Sequence, residues 1–480
     1  VGLAVSSIIL FLLALAIWCG CDRDVLRLDT EEDADVVSRE DVDAGEGIVD
    51  SDTHEETIPP DPGVDCLATR TPRLNWPGVA EWTFEAVEPE FELECAGERC
   101  PELVLSWSTG VRADGASDFS FAPSERSIVI DGPQSLGRVS IETGTGWRYN
   151  AAPQAQDFVG CADCGSAIAF SSIHVLDREL PTERIIVALD ATGHEVWRLC
   201  IERGGEALAV YSPEVLVAIV DWTEPATNEE REGVMWISTR DGSVLGRTEG
   251  DFDPGFQTYG RFGLSVFDER VWVNVFGRLL WATPESTAFD SVELAGDRSR
   301  NGLGVKDANP IPTIDGRVMV RDRNRVGVVD PESGETIAVG DFGDRFGLRG
   351  TATQHPMGTF HMPSDAGLVR VLYDGESIAV DGGHAGVIAS HPPAVTRDGI
   401  GLLGIGGGVV ALDLTDYSEI WRIRWQDVFH QAPILLDDGT MVLISESGIL
   451  SVWQTDHMGL ADTPASFPYF DITRSRRIPD

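Results

Sequence analysis

Apolar and polar positions alternate in short runs along most of this chain. Residues 399 to 425, GIGLLGIGGGVVALDLTDYSEIWRIRW, show the pattern most clearly. An apolar run from Gly399 to Gly404 is followed by a glycine turn at 406 to 408. A second β-forming run, Val409 to Leu412, closes on the turn former Asp413, and the pattern resumes at Ile420 and Trp421. Runs of four to eight β-branched and apolar residues bounded by Gly, Asp and Ser predict strands joined by tight turns.

The same strand–turn–strand unit recurs. It is read in 137–149 (GRVSIETGTGWRY), 183–199 (ERIIVALDATGHEVWRL), 233–248, 270–284, 316–340, 367–383 and 439–456. Turn centres fall near 144, 191, 241, 284, 331, 375, 414 and 454, so the spacing stays between 39 and 50 residues. A period of this size built from short strands predicts radial β repeats, because one small sheet cannot bury both faces alone and must stack on its neighbours. The expected fold class is all-β, a β-propeller of eight blades, or seven if one unit is an insertion.

The core Ala188-Leu189-Asp190, Thr192-Gly193, Trp197 returns as Ala411-Leu412-Asp413 with Trp421, and without its tryptophan as Val329-Asp330 with Ser333-Gly334. This resembles the quinoprotein alcohol dehydrogenase-like β-propeller family, whose unit is the PQQ-like repeat, named after pyrroloquinoline quinone. The resemblance covers roughly residues 121 to 456 and implies the propeller fold. Its enzymatic members use two adjacent cysteines, a tryptophan under the quinone, calcium ligands and an Asp base. This chain has no adjacent cysteines and no C-x-x-C-H for haem. Its nearest approximation to the cysteine pair is Cys161-Ala-Asp-Cys164. No catalytic, cofactor-binding or metal residue is therefore assigned, and no cofactor is expected.

Outside the repeats the pattern changes. Residues 1–21 begin with an uncharged apolar run, VGLAVSSIILFLLALAIW, and end at Cys19-Gly20-Cys21. This reads as an export signal with a lipobox, Cys21 being the lipidation site; the competing reading is an uncleaved anchor helix. Residues 22–62 are rich in Asp and Glu and poor in aromatics, which predicts a disordered acidic linker. Residues 63–120 are expected to supply strands that close or cap the ring, residues 121–456 the repeats, and residues 457–480 an exposed tail ending RSRRIPD.

Net charge is −43, with Lys306 the only lysine. Such a surface repels phosphate and disfavours nucleic acid. Six cysteines follow the leader: Cys66, Cys95, Cys100, Cys161, Cys164 and Cys200. They permit fifteen pairings in the oxidising compartment that export implies. Local spacing suggests Cys95–Cys100 and Cys161–Cys164, leaving Cys66–Cys200; a redox dithiol or half a zinc site at Cys161/Cys164 is the competing reading.

His355, His361, His384, His391 and His430, with His174 and His194 earlier, stand near turns. Either they gather on one face of the ring or each is an ordinary loop residue. Tryptophans 147, 197, 236, 272, 281, 421, 425 and 453 sit in the strand pattern, which predicts packing between blades.

The expected function is a non-enzymatic, monomeric propeller of the bacterial cell envelope, periplasmic or on the outer surface. It would be tethered to a membrane by lipid and would bind envelope proteins. In plan it is similar to the PQQ-like lipoprotein of the outer-membrane barrel-assembly machinery. The alternatives are a quinone- and calcium-dependent alcohol or sugar dehydrogenase with an altered site, and a polysaccharide-binding or sensor ectodomain.

Overall fold

Each repeat is a small antiparallel sheet in the computed structural model. The structure describes residues between 80 and 461, omitting several connecting stretches, of which 251–262 and 294–308 are the longest. Residues 1–79 and 462–480 lie outside the described residues, and with them the expected leader, Cys21, the acidic linker and Cys66. Cys100 and His430 fall in omitted stretches.

Eight sheets follow one another along the chain. Blade 1 spans 118–150, blade 2 155–201, blade 3 203–250 and blade 4 263–293. Blades 5 to 8 span 311–341, 353–384, 394–428 and 434–454. Strands within a blade are lettered A to D from the ring outward. The A strands of consecutive blades touch at several junctions around the inner ring. Blade 5 shows the plan: A is Ile311–Pro312, B Val318–Asp322, C Arg325–Asp330 and D Glu335–Asp341. All-β, eight-bladed architecture is thus the observed fold.

Blade 7 carries the clearest repeat and is folded as its glycines require. Ile400–Asp413 is one extended stretch that doubles back at Gly406–Gly408. Gly407 and Gly408 have φ of +91° and +140°, open only to glycine, and the Leu414 N–H reaches the Gly399 carbonyl at 3.4 Å across the hairpin.

The N-terminal segment supplies three strands to the outer rim. β1 (Ala80–Trp82) pairs with the D strand of blade 1, and β2 (Phe91–Cys95) with the D strand of blade 7. β3 (Val104–Gly110) pairs with the C strand of blade 8 and serves as its missing fourth strand. One stretch of chain therefore runs across blades 1, 7 and 8, the place where the ring must close. The core agrees: Ile128 and Val139 of blade 1, Trp421 of blade 7 and Trp453 of blade 8 belong to one buried cluster. Closing a ring with a strand from the far end of the sequence removes the free edge that would otherwise remain on the last blade.

Candidate docking face

In an antiparallel meander the A–B and C–D turns emerge at the same end of the blade. Hydrogen bonds between them fix that face: the Ile141 N–H donates to the Arg126 carbonyl at 2.9 Å, and the Thr239 N–H to the Glu214 carbonyl at 3.0 Å.

The repeated Asp builds the C–D turns. Asp190 accepts the backbone N–H groups of Thr192 at 2.8 Å and His194 at 2.9 Å, and the Thr192 hydroxyl at 2.7 Å. Asp330 accepts from Glu332 and Ser333, Asp374 from Glu376 and Ser377, and Asp413 from Thr415. These are Asx turns, in which the carboxylate stands in for a backbone acceptor. Hydrogen bonding holds the carboxyls of Asp330 and Asp374 below the usual carboxylate range. For Asp190 partial burial opposes this, and the bonds to Thr192 and His194 outweigh it. The face stays anionic at every ordinary pH, and its carboxylates are committed to the turns that carry them.

Junctions between blades take two forms. Trp147, in the D strand of blade 1, donates from Nε1 to the Ala191 carbonyl of blade 2 at 3.1 Å, with Arg138 donating to the same oxygen. Trp197 of blade 2 repeats this on the Thr239 carbonyl of blade 3 at 2.7 Å. Both indoles lie on a turn glycine: a Cβ at Gly193 would meet the Trp147 ring at 2.7 Å, and one at Gly242 the Trp197 ring at 2.6 Å. The glycine of the repeat therefore does two jobs, adopting positive φ and leaving room for a ring.

The D strands of blades 3 to 6 lack this tryptophan, and added Cβ atoms at Gly334 and Gly375 would meet nothing within 4 Å. Polar side chains join blades 5 to 7 instead. Arg317 of blade 5 donates to the Tyr373 hydroxyl and Gly375 carbonyl of blade 6. Arg370 of blade 6 donates to the Thr415 carbonyl of blade 7 and to Asp381, its guanidinium 5.7 Å from the centre of the Tyr417 ring.

Beneath Arg370 lies a cluster that no local sequence pattern announces. His361, fully buried, hydrogen-bonds through Nδ1 to the Tyr417 hydroxyl at 2.9 Å, and through Nε2 to the Thr359 hydroxyl at 3.2 Å. The His355 ring lies 6.0 Å from it, and Nδ1 of His355 accepts the Met357 N–H at 3.1 Å. Burial pulls the His361 imidazole down to about 3, the neighbouring His355 and Arg370 adding to the effect, and burial also lowers His355. Tyr417 is pushed upward by burial. These groups are held neutral inside the blade 6–7 junction, a role in packing. The signal was faint: His355 occupies the turn position that is Thr313 in blade 5 and Thr396 in blade 7.

The other candidates disperse. His194 lies in the C–D turn of blade 2, and His391 precedes the A strand of blade 7. Of the histidines whose side chains are described, His355 and His361 come together, while His194 lies in a different turn. Trp147, Trp197 and Trp421 occupy equivalent D-strand positions. Trp272 is in a B strand, Trp236, Trp281 and Trp453 are in C strands, and Trp425 is further along the D strand of blade 7. Trp147 and Trp197 thus donate across a junction, and Trp236, Trp272, Trp421 and Trp453 lie in buried clusters that span neighbouring blades, as expected. Cys161 and Cys164 are disulfide-bonded, buried in the A–B connection of blade 2. Cys95 and Cys200 are each disulfide-bonded as well. Among the described residues, no group of three or more His, Cys, Asp or Glu is placed to hold a metal ion.

No protein-family model matches the sequence, and no curated protein matches it. Solved structures do match in fold. The chain is similar to the crystal structure of BamB from Moraxella catarrhalis, with a TM-score of 0.53 and 15% identity, over 73% of this chain and 99% of that one. A europium-containing methanol dehydrogenase aligns with a TM-score of 0.47 and 12% identity, over 73% of this chain and 93% of that one. The dihydro-heme d1 dehydrogenase NirN aligns at 0.46 and 12%, over 64% and 66%. At TM-scores below 0.5 nothing about this chain follows from the last two. The blades, their period and the BamB likeness together define an eight-bladed β-propeller.

Proposed function

We propose that the chain is a non-enzymatic cell-envelope propeller that presents its ring as a protein-binding or scaffolding surface. The observation that carries this reading is how the reactive-looking side chains are used. The repeated aspartates close their own turns, the buried histidines are neutral packing groups, and the Cys161–Cys164 disulfide ties a local connection. What the ring offers outward is a rigid, anionic set of turns, which suits steering and docking of a protein partner. The BamB likeness in fold is consistent with this use.

The protein is a monomer held at a membrane through a thioether lipid on Cys21. Residues 22–62 act as an acidic tether that keeps the ring off anionic headgroups. The site is the periplasm or the outer surface of a bacterial envelope.

The test is cross-linked capture from envelope extracts with the full chain. One envelope protein recovered in stoichiometric, salt-sensitive yield is the expected result. Capture of none, together with quinone- and calcium-dependent oxidation of an alcohol or sugar, overturns the proposal. The tether is checked separately: Cys21→Ser should abolish fatty-acid labelling, whereas an uncleaved anchor would leave mass and membrane fraction unchanged.

A further inference from the structure

Three A–B turns share one construction. Thr313-Ile314-Asp315-Gly316, Thr396-Arg397-Asp398-Gly399 and Leu436-Asp437-Asp438-Gly439 each put a glycine at positive φ in the fourth place. In each, the glycine N–H donates back to the first carbonyl at 3.0 Å. The third-place Asp closes the turn: Asp315 accepts the Thr313 hydroxyl, Asp398 the Thr396 hydroxyl at 2.5 Å, and Asp438 the Thr440 N–H at 3.0 Å.

Blade 6 has the same backbone turn, with Gly358 at φ +84° donating to the His355 carbonyl at 2.8 Å, but its third residue is Met357. His355 has taken over the closure by accepting the Met357 N–H. The methionine side chain, relieved of any part in the turn, is 77% exposed, the most exposed large apolar side chain among the described residues. It is not alone. Ile314, 60% exposed on the adjoining turn of blade 5, has its Cδ1 3.5 Å from the point where a Cβ on Gly358 would sit. Two solvated apolar side chains on neighbouring turns contribute little to folding and offer contact area to a partner.

The surroundings select the occupant. Asp315, Asp374, Glu376 and Asp398 are exposed in the flanking turns. The arginines of these turns are already engaged, Arg317 with Tyr373, Gly375 and Asp315, and Arg397 with Asp437. Nucleic acid, an acidic membrane and a second copy of this chain at −43 are all repelled.

Resting on the docking function proposed above, we infer that the Met357–Ile314 patch receives a cationic segment of a partner protein, an apolar anchor flanked by Lys or Arg. Met357 and Ile314 grip the anchor, and the carboxylate rim steers and orients the basic flanks.

The probe is a labelled synthetic peptide of alternating Arg and Lys around one central Leu, titrated into the full chain by fluorescence anisotropy, beside the same peptide with Ser at the centre. The Leu peptide should bind at least tenfold tighter than the Ser peptide. Met357→Asp restores the residue that three sister turns carry. It should weaken the Leu peptide at least tenfold with the melting temperature unchanged; Ile314→Thr, as a second variant, should weaken it less. Equal binding of both peptides, or equal or tighter binding by Met357→Asp, is the behaviour of charge alone and overturns the proposal. Binding that appears only after removal of residues 462–480 would assign the patch to the chain's own Arg474-Ser475-Arg476-Arg477 and overturns it too. Envelope capture separates the two levels. A partner held by the wild type and lost by Met357→Asp supports the patch. A partner held by both dismisses the patch and leaves the docking function standing. No partner for the wild type removes the docking function itself.

Discussion

The junctions from blade 1 to blade 3 and those from blade 5 to blade 7 solve one geometric problem with different chemistry. In the first, an indole lies flat on a turn glycine and donates one hydrogen bond to a turn carbonyl, as Trp147 and Trp197 do. In the second, Arg317 and Arg370 reach across to turn carbonyls, with Tyr373, Tyr417 and His361 filling the volume. The carbonyl acceptor is common to both: Ala191, Thr239, Gly375 and Thr415 all belong to C–D turns of the following blade. The propeller needs a donor at that point and bulk beneath it. It does not need a tryptophan. The indole junctions rest on a ring and a neutral donor, with Arg138 added at the first; the later junctions rest on guanidinium groups and a buried histidine.

The largest difference is expected at the glycines. Gly242 and Gly334 have nearly the same φ, +73° and +69°, but only Gly242 lies under a ring. Asn tolerates the left-handed region, so Gly334→Asn should cost well under about 1 kcal/mol. Gly242→Asn drives its Cβ into Trp197 and should cost on the order of 3 kcal/mol, the scale of overpacking a rigid core. Denaturant titration of the two variants checks this, and equal losses would show that the indole does not set the spacing of blades 2 and 3.

A smaller effect separates the junctions by pH. The folded-state pKa of His361, about 3, lies far below that of an exposed histidine, so the unfolded chain binds the extra proton first. Stability from the neutral imidazole is complete above about pH 6.5 and is lost as pH falls toward 3. His355, depressed by burial, acts in the same direction. Between pH 6.5 and 4 the melting temperature should drop several degrees more in the wild type than in His361→Gln, which does not titrate. Parallel curves would mean that the junction tolerates an imidazolium, against the burial of this ring.

How much of this was legible follows from the same contrast. The turn recurs because most blades place an acceptor and a positive-φ glycine at the same point, so its period gave away the fold and its eight units. The indole junctions were half legible. Trp147 and Trp197 follow their turns, while Trp236, Trp272 and Trp453 share the residue type and pack in buried clusters that also hold residues of neighbouring blades. The polar junctions were not legible. His361 and Tyr417 are 56 residues apart, as are Arg317 and Tyr373, and one-off partners across blades leave no repeat to read. The exposed pair Met357 and Ile314 was hidden for a related reason. Met357 is conspicuous only when its turn is laid beside the three that keep Asp, and those turns differ in sequence at two of their other positions.

The smallest effect expected concerns the ionic part of the polar junction. Arg370 has three partners: the Thr415 carbonyl, the Tyr417 ring and Asp381. The first two lie in the next blade and hold the junction. Asp381 is on the neighbouring D strand of the same blade, and its side chain is 55% exposed. An exposed carboxylate contributes little to a pair because water screens it and the long side chains lose rotamer freedom. Asp381→Asn keeps a hydrogen-bond acceptor while removing the charge, so it should change stability by less than about 0.5 kcal/mol and reduce the salt dependence of melting. Arg370→Ala strips the turn carbonyl and the tyrosine face together and should cost about 1.5 kcal/mol, close to the usual worth of a charged hydrogen bond. If Asp381→Asn were as damaging as Arg370→Ala, the blade 6–7 junction would be organised by the ion pair, and the parallel between a donating indole and a donating guanidinium would fail.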